Sequence, residues 1–244
     1  VWRKIMEDKY SGKKSLAVLL DPDKLAEKDR RHNILKLINE CRVDYVFVGG
    51  SLVVEGGFEE IIKDIKAHTE LPVILFPGSV TQVNGEVDAM LLLSLISGRN
   101  PELLIGQHVI AAPRIKQLGL ETISTGYMLV DCGKATTASY ISGTLPLPHD
   151  KPEIAAATAS AGEMIGMSCM YLDGGSGAAR PVSQAMIHAV KIATDTPLIV
   201  GGGIRSEEEA ANAWNAGADI IVMGTAFEDD PELLIDIASL KATD

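Results

Sequence analysis

Two apolar runs near the C-terminus constrain this chain more than any other feature. Pro197-Leu198-Ile199-Val200 passes through Gly201-Gly202-Gly203 into Ile204-Arg205-Ser206-Glu207-Glu208-Glu209-Ala210, and Asp219-Ile220-Ile221-Val222-Met223 ends in Gly224-Thr225-Ala226. Each run is a short buried strand that ends in glycine and leads into a helix. Glycine lets the backbone approach an anion with its N–H groups pointing outward. Ser206 is a good N-cap for a helix over 207–216, whose N-terminus adds positive potential. Two such strand ends in tandem match the phosphate site that eight-unit β/α barrels build after strands 7 and 8. We therefore expect Gly202, Gly203, Gly224 and Thr225 to hold a phosphate.

The rest of the chain keeps the same rhythm. Leu16–Leu20, Tyr45–Val48, Pro72–Phe76, Asp88–Ile96, Thr122–Val130 and Ser168–Leu172 read as buried parallel strands, being apolar runs too short for helices. Amphipathic segments at 30–41, 58–68, 101–118, 152–166 and 181–194 separate most of them, and a last helix spans 231–240. Between strands 3 and 4, Val80 to Val87 leaves room for two helical turns at most, so the third helix is short or missing. The stretch 131–151 is the longest irregular region, and long loops in compact domains are often binding elements. The 244 residues suit a single α/β barrel of about 250, and we expect one domain over 1–244. A doubly wound open sheet is the competitor, but the chain has no early G-x-G-x-x-G.

Composition removes several function classes. With 33 acidic and 22 basic residues the net charge is −11, which opposes nonspecific attraction to nucleic acid or anionic membranes. Cys41, Cys132 and Cys169 have neither disulfide nor zinc spacing, which fits a reducing, cytoplasmic setting. The stretch 1–15 is polar and does not read as a signal peptide. No apolar run approaches the length of a membrane span.

A barrel brings its strand ends to one face. There we expect Asp21, Asp23, Ser51, Ser79, Ser94, Thr125, Tyr127, Tyr171, Asp173 and Ser176 beside the glycines. No His, Cys or Lys stands out as a nucleophile, and His108, His149 and His188 read as surface residues. Asp21 and Asp23, with an oxygen from Ser51, suit Mg²⁺, which usually takes one or two carboxylates plus substrate phosphates; an Asx-capped turn is the other reading. In Tyr171-Leu172-Asp173-Gly174-Gly175-Ser176-Gly177, Asp173 can accept bonds from a polyol and take a proton from one of its hydroxyls.

These residues resemble, over nearly the whole length, the geranylgeranylglyceryl phosphate synthase family, prenyltransferases on a modified TIM barrel. The resemblance lies in Leu20-Asp21-Pro22-Asp23-Lys24, Val48-Gly49-Gly50-Ser51, Ser94-Leu95-Ile96-Ser97-Gly98-Arg99-Asn100-Pro101 with Ile105-Gly106-Gln107-His108, Tyr171 to Ala178, Ile199 to Arg205 and Val222 to Thr225. The Ser97-Gly98-Arg99-Asn100 block is similar to the family's second group. The resemblance implies transfer of a polyprenyl group from its diphosphate to the 3-hydroxyl of sn-glycerol 1-phosphate. It also implies Mg²⁺ on Asp21 and Ser51, glycerol on Tyr171 to Gly177, phosphate on Gly202-Gly203 and Gly224-Thr225, and a homo-oligomer, dimer or hexamer. The chain departs from the family at Leu19, where the other group has lysine, and at Asp173, where many members have glutamate. Lys24 is the candidate to replace the missing lysine. A prenyl tail needs an apolar trough, and the lost third helix beside Leu91-Leu92-Leu93 and Leu103-Leu104-Ile105 is a place for one, although those leucines also read as ordinary core. A phosphosugar isomerase or lyase, using Asp21 with Asp173, and a non-catalytic phosphate-binding barrel are the alternatives.

Overall fold

The computed structural model describes residues 1–50, 57–224, 226–227 and 230–241. Eight parallel strands close into a barrel in sequential order: β1 (Ser15–Leu20), β2 (Tyr45–Val48), β3 (Val73–Leu75), β4 (Ala89–Leu95), β5 (Glu121–Leu129), β6 (Cys169–Asp173), β7 (Leu198–Gly201) and β8 (Ile220–Met223). Closure comes from β1 pairing with β8, Ser15 opposite Ile220 through Val18 opposite Met223. The outer layer contains α2 (Lys28–Glu40), α3 (Phe58–His68), α4 (Gln107–Leu118), α6 (Pro152–Met164), α7 (Gln184–Ala193), α8 (Glu207–Ala216) and α9 (Pro231–Leu240). The strands read as continuous apolar runs because both faces are buried. One set, including Ala17, Tyr45, Phe47, Leu91, Tyr171 and Ile199, fills the barrel. The alternate set, including Val18, Val46, Leu172 and Val200, packs under the helices.

The helix that would follow β3 is missing, one of the two outcomes the spacing predicts. Only a 3-10 turn, Val80–Gln82, lies between β3 and β4. Gln82 bolts it down: Gly78 N–H donates to Gln82 Oε1 at 3.0 Å and Gln82 Nε2 donates to Gly50 O at 3.1 Å. The flank of β4 is thus left without a covering helix at this point.

Two elements go beyond the sequence reading. A first helix, α1 (Trp2–Tyr10), precedes β1, and its Ile5 packs into the barrel interior. Tyr45 reaches it from inside, donating to Asp8 at 2.8 Å. Within 131–151, a short helix α5 (Thr137–Ser142) forms behind a capping box of Thr136 and Ser139, which satisfies two N–H donors at once.

Three carboxylates pin the strand starts. Asp44, Asp88 and Asp219 each stand one residue before a strand and accept the amide of the neighbouring strand's beginning, Leu16 at 2.8 Å, Val73 at 2.7 Å and Leu198 at 2.8 Å. Each also holds a lysine: Lys241 and Lys13 on Asp44, Lys66 on Asp88, Lys191 on Asp219. These charge-assisted bonds account for acidic residues that take no part in the site.

Candidate active site at the barrel mouth

The C-terminal strand ends surround one wide cavity. Asp21 and Lys24 border it on the β1 side, Tyr171, Asp173, Gly175, Ser176 and Gly177 on the β6 side, and Gly202, Gly203 and Gly224 at the ends of β7 and β8. The acidic first-strand tip and the glycine cradle therefore face a common space. Ser51 and Thr225 lie outside the described residues.

Asp21 caps the Pro22–Leu25 turn, its Oδ1 accepting the Asp23 amide at 3.2 Å. The Asx-cap reading is thus correct, and among the described residues no other group is seen bonded to the Asp21 carboxylate. Half-burial raises the Asp21 pKa above the usual carboxylate range, against the lowering effects of the Asp23 amide and Lys24. A cation at this carboxylate would relieve that cost.

The β6 end follows from strand alternation. Tyr171 and Asp173 point into the barrel while Leu172, fully buried, faces the helix layer and does not border the cavity. Gly174 lies behind the site: its amide donates to Gly201 O at 2.9 Å and a Cβ there would meet Cys132 Sγ at 2.9 Å. Asp173 Oδ1 accepts the Gly175 amide at 2.7 Å, and Oδ2 accepts the Tyr127 hydroxyl. Burial raises the Asp173 pKa, and those two bonds lower it. Tyr127 and Tyr171 are pushed well above the ordinary phenol range, by burial first and by Asp173 second. Both stay protonated, and Tyr127 is the one seen donating, to Asp173. Phe76, Tyr127 and Tyr171 pack ring against ring at 5.4–5.8 Å between centroids.

At the cradle, Gly202 and Gly203 both have φ of 78°, a region L side chains rarely adopt. α8 contributes less than its position suggests. Ser206 caps it, its first turn carries Glu207, Glu208 and Glu209, and the Arg205 amide donates to Glu209 at 2.7 Å. Those charges offset the helix dipole, so the glycine backbone carries the cradle.

A second, apolar cavity occupies the flank left open by the missing helix. Leu92, Leu93, Met90, Leu103 and Ala111 line it, α5 closes it with Ala138 and Ile141, and it shares Phe76 and Ala138 with the mouth cavity. Leu91 is barrel core and Ile105 is exposed, so only part of the two leucine runs reaches the trough. His108, expected at the surface, is half-buried on the trough wall, Nε2 2.8 Å from Leu93 O. Ser94 bonds to Leu104 O and Thr125 to Ile123 O within the scaffold. The Ser97-to-Asn100 block is also scaffold: Arg99 donates to Ile96 O and Gly98 O, and Asn100 caps the following turn.

Residues 8–242 match the model of the PcrB family. The chain belongs to this family. It is 57% identical over 95% of its length to the geranylgeranylglyceryl phosphate synthase of Spirosoma linguale, covering 93% of that protein. It is 41% identical over 93% of its length to the synthase of the same name from Korarchaeum cryptofilum, covering 92% of it. Among solved structures, the (S)-3-O-geranylgeranylglyceryl phosphate synthase of Thermoplasma acidophilum, in complex with its substrate sn-glycerol-1-phosphate, superposes with a TM-score of 0.89 at 31% identity over 96% of both chains. As a PcrB-family member, the protein has the β/α barrel of that enzyme, and among its described residues no helix is long and apolar enough to cross a membrane.

Proposed function

We propose that this PcrB-family protein transfers a geranylgeranyl or similar polyprenyl group from its diphosphate to the 3-hydroxyl of sn-glycerol 1-phosphate. The observation that carries the reading is the junction of two unlike cavities: a polar mouth with an acidic tip and a glycine cradle, and an apolar trough that meets it at Phe76 and Ala138. A phosphosugar isomerase or lyase would have no use for the trough.

The cradle of Gly202, Gly203 and Gly224 holds the phosphate, which places the glycerol hydroxyls against Tyr171 and Asp173. The acceptor O3 forms a bond to C1 of the prenyl group as the C1–O bond to diphosphate breaks, the electron pair leaving with the diphosphate. The O3 proton passes to Asp173. Burial makes Asp173 a stronger base than an exposed carboxylate, and Tyr127 and the Gly175 amide keep it aimed. Asp21, a half-buried carboxylate on the mouth wall with Gly50 close beside it, suits Mg²⁺ held partly by substrate phosphates. Mg²⁺ there would neutralise the departing diphosphate. Lys24 stands on the same wall. The exposed apolar residues Val109 and Ile110 of α4, Tyr140 of α5 and Leu145 in the loop after it are the faces we assign to self-association.

Incubation with Mg²⁺, labelled sn-glycerol 1-phosphate and geranylgeranyl diphosphate should move label into an organic extract. Label staying in water rejects prenyl transfer. Asp21→Asn should abolish Mg²⁺-dependent turnover while sparing sn-glycerol 1-phosphate affinity by calorimetry; unchanged turnover removes Asp21 from the metal site. Leu92→Trp should fill the trough. Excluding one five-carbon unit removes about 4 kcal/mol of burial at ~0.8 per carbon, so use of geranylgeranyl diphosphate should fall on the order of a thousandfold. Geranyl diphosphate should be far less affected, and equal losses for both would mean that the tail lies elsewhere.

A further inference from the structure

Away from the mouth, two helices of the outer layer bring together a ligand set that the prenyl transfer does not use. His32 lies one turn into α2, and Asp64 and His68 are four apart on α3. One ligand atom from each lies within 4.8 Å of the others. Asp64 Oδ1 is 3.3 Å from His32 Nε2 and 3.4 Å from His68 Nδ1. Zn²⁺ bonds of about 2.0–2.1 Å to nitrogen and 2.0–2.2 Å to oxygen put neighbouring ligand atoms roughly 3.3–3.4 Å apart in a tetrahedron. Two edges of such a tetrahedron already exist.

We propose that His32, Asp64 and His68 bind a first-row divalent transition cation, Zn²⁺ by preference, with water in the fourth position. Two imidazoles and one carboxylate suit Zn²⁺, Co²⁺ or Ni²⁺, whereas Mg²⁺ wants oxygen alone. The surroundings are those of a supported site. Arg31 donates to Asp64 Oδ2 at 2.5 Å and to Leu25 O at 2.6 Å, which holds the carboxylate in place, with His32 Nε2 3.1 Å from Oδ2 and 3.3 Å from Oδ1. Outer-shell bonds of this kind orient ligands and are costly to lose. The two rings face each other at 4.2 Å between centroids, tilted by 34°. His68 Nδ1 stands 2.7 Å from Asp64 O, and its proton there must leave when the cation arrives, as is general for metal-binding histidine. The side chains are 32%, 18% and 41% exposed for His32, Asp64 and His68, which gives an entry path from solvent. Through Arg31 and the Leu25 carbonyl, the cation would stiffen the end of the turn that Asp21 caps.

The test is calorimetric titration of the untagged full chain with ZnCl₂ in excess Mg²⁺, beside His32→Gln and His68→Ala, whose folding is checked by circular dichroism. We expect one Zn²⁺ per chain, a raised Tm on binding, and loss of affinity in each variant beyond the roughly 10- to 100-fold that removal of an outer-shell partner costs. Co²⁺ added to the wild type should give the visible absorption of a low-coordinate site, absent from both variants. No binding by the wild type overturns the proposal. So does binding that both histidine variants retain, including the case in which only Asp21→Asn removes it, because the cation would then belong to the mouth.

Discussion

Asp173→Asn is expected to lower kcat by about 10²- to 10⁴-fold, the range for removing a positioned general base, without lowering the Tm. The two halves of that result come from one cause. Burial raises the Asp173 pKa above its unfolded value, so the native state binds the proton more tightly than the unfolded chain. Stability from this group is fully present below the unfolded pKa and is lost as pH rises through the folded one. At neutral pH the ionised carboxylate therefore costs stability. Asn carries no charge, and its amide can still accept from Gly175 and donate to the Tyr127 oxygen. A Tm that holds or rises beside a collapsed kcat is the pattern of a site that trades stability for reactivity. Catalysis has the opposite pH sign. In the proposed transfer Asp173 must be ionised to take the O3 proton, so activity should fall as pH drops through a pKa raised above the ordinary Asp value. Tyr127 donates one of the two bonds that lower this pKa. Tyr127→Phe should move the acid limb of kcat to higher pH. An acid limb that stays in place, or Asp173→Asn with near wild-type kcat, would assign the base elsewhere.

What the sequence made legible, and what it hid, divides along the range of the interactions. Backbone conformation is local: glycine runs at 201–203 and 174–177 announced positions that need positive φ or close approach, and both border the site. The reduced connection after β3 was legible because the 13 residues between Leu75 and Ala89 leave room for two helical turns at most once the connecting turns are subtracted. Hydrophobic runs showed the strands but not their facing, so Leu172 read as part of the glycerol segment although alternation turns it to the helices. Tyr127 illustrates the other limit. Its hydroxyl meets a carboxylate 46 residues away, and no spacing rule connects β5 to β6 at that residue. Asp64 and His68 share a helix face four residues apart, but the sequence reading does not single them out, and His32 comes from the preceding helix. Helix α5 is six residues long, too short for a periodic signal; its capping box is the one local cue.

Gly202→Ala and Gly224→Ala should separate the two jobs of the cradle. At Gly202 the φ of 78° and the space both forbid a side chain: a Cβ would lie 2.6 Å from the backbone N and O of Gly175 and 3.1 Å from Asp173 Oδ1. A non-glycine residue at such a φ costs about 1–3 kcal/mol, and overpacking against backbone costs a further ~1–3 kcal/mol. For a domain of this size each kcal/mol shifts Tm by roughly 2–4 °C, so a fall of about 10 °C is expected, and the Gly174–Gly177 loop must move off Asp173. Gly224 is the contrasting case, since among the described residues nothing lies closer to its added Cβ than Leu19 at 3.9 Å. There the fold should be intact, with Tm within about 2 °C of wild type, while the methyl group narrows the approach of a phosphate to the β8 backbone. Calorimetry should find sn-glycerol 1-phosphate affinity reduced about tenfold or more, the loss of roughly one charge-assisted hydrogen bond at 1.5–3 kcal/mol. If Gly224→Ala binds sn-glycerol 1-phosphate as tightly as the wild type, the phosphate does not sit between the last two strands.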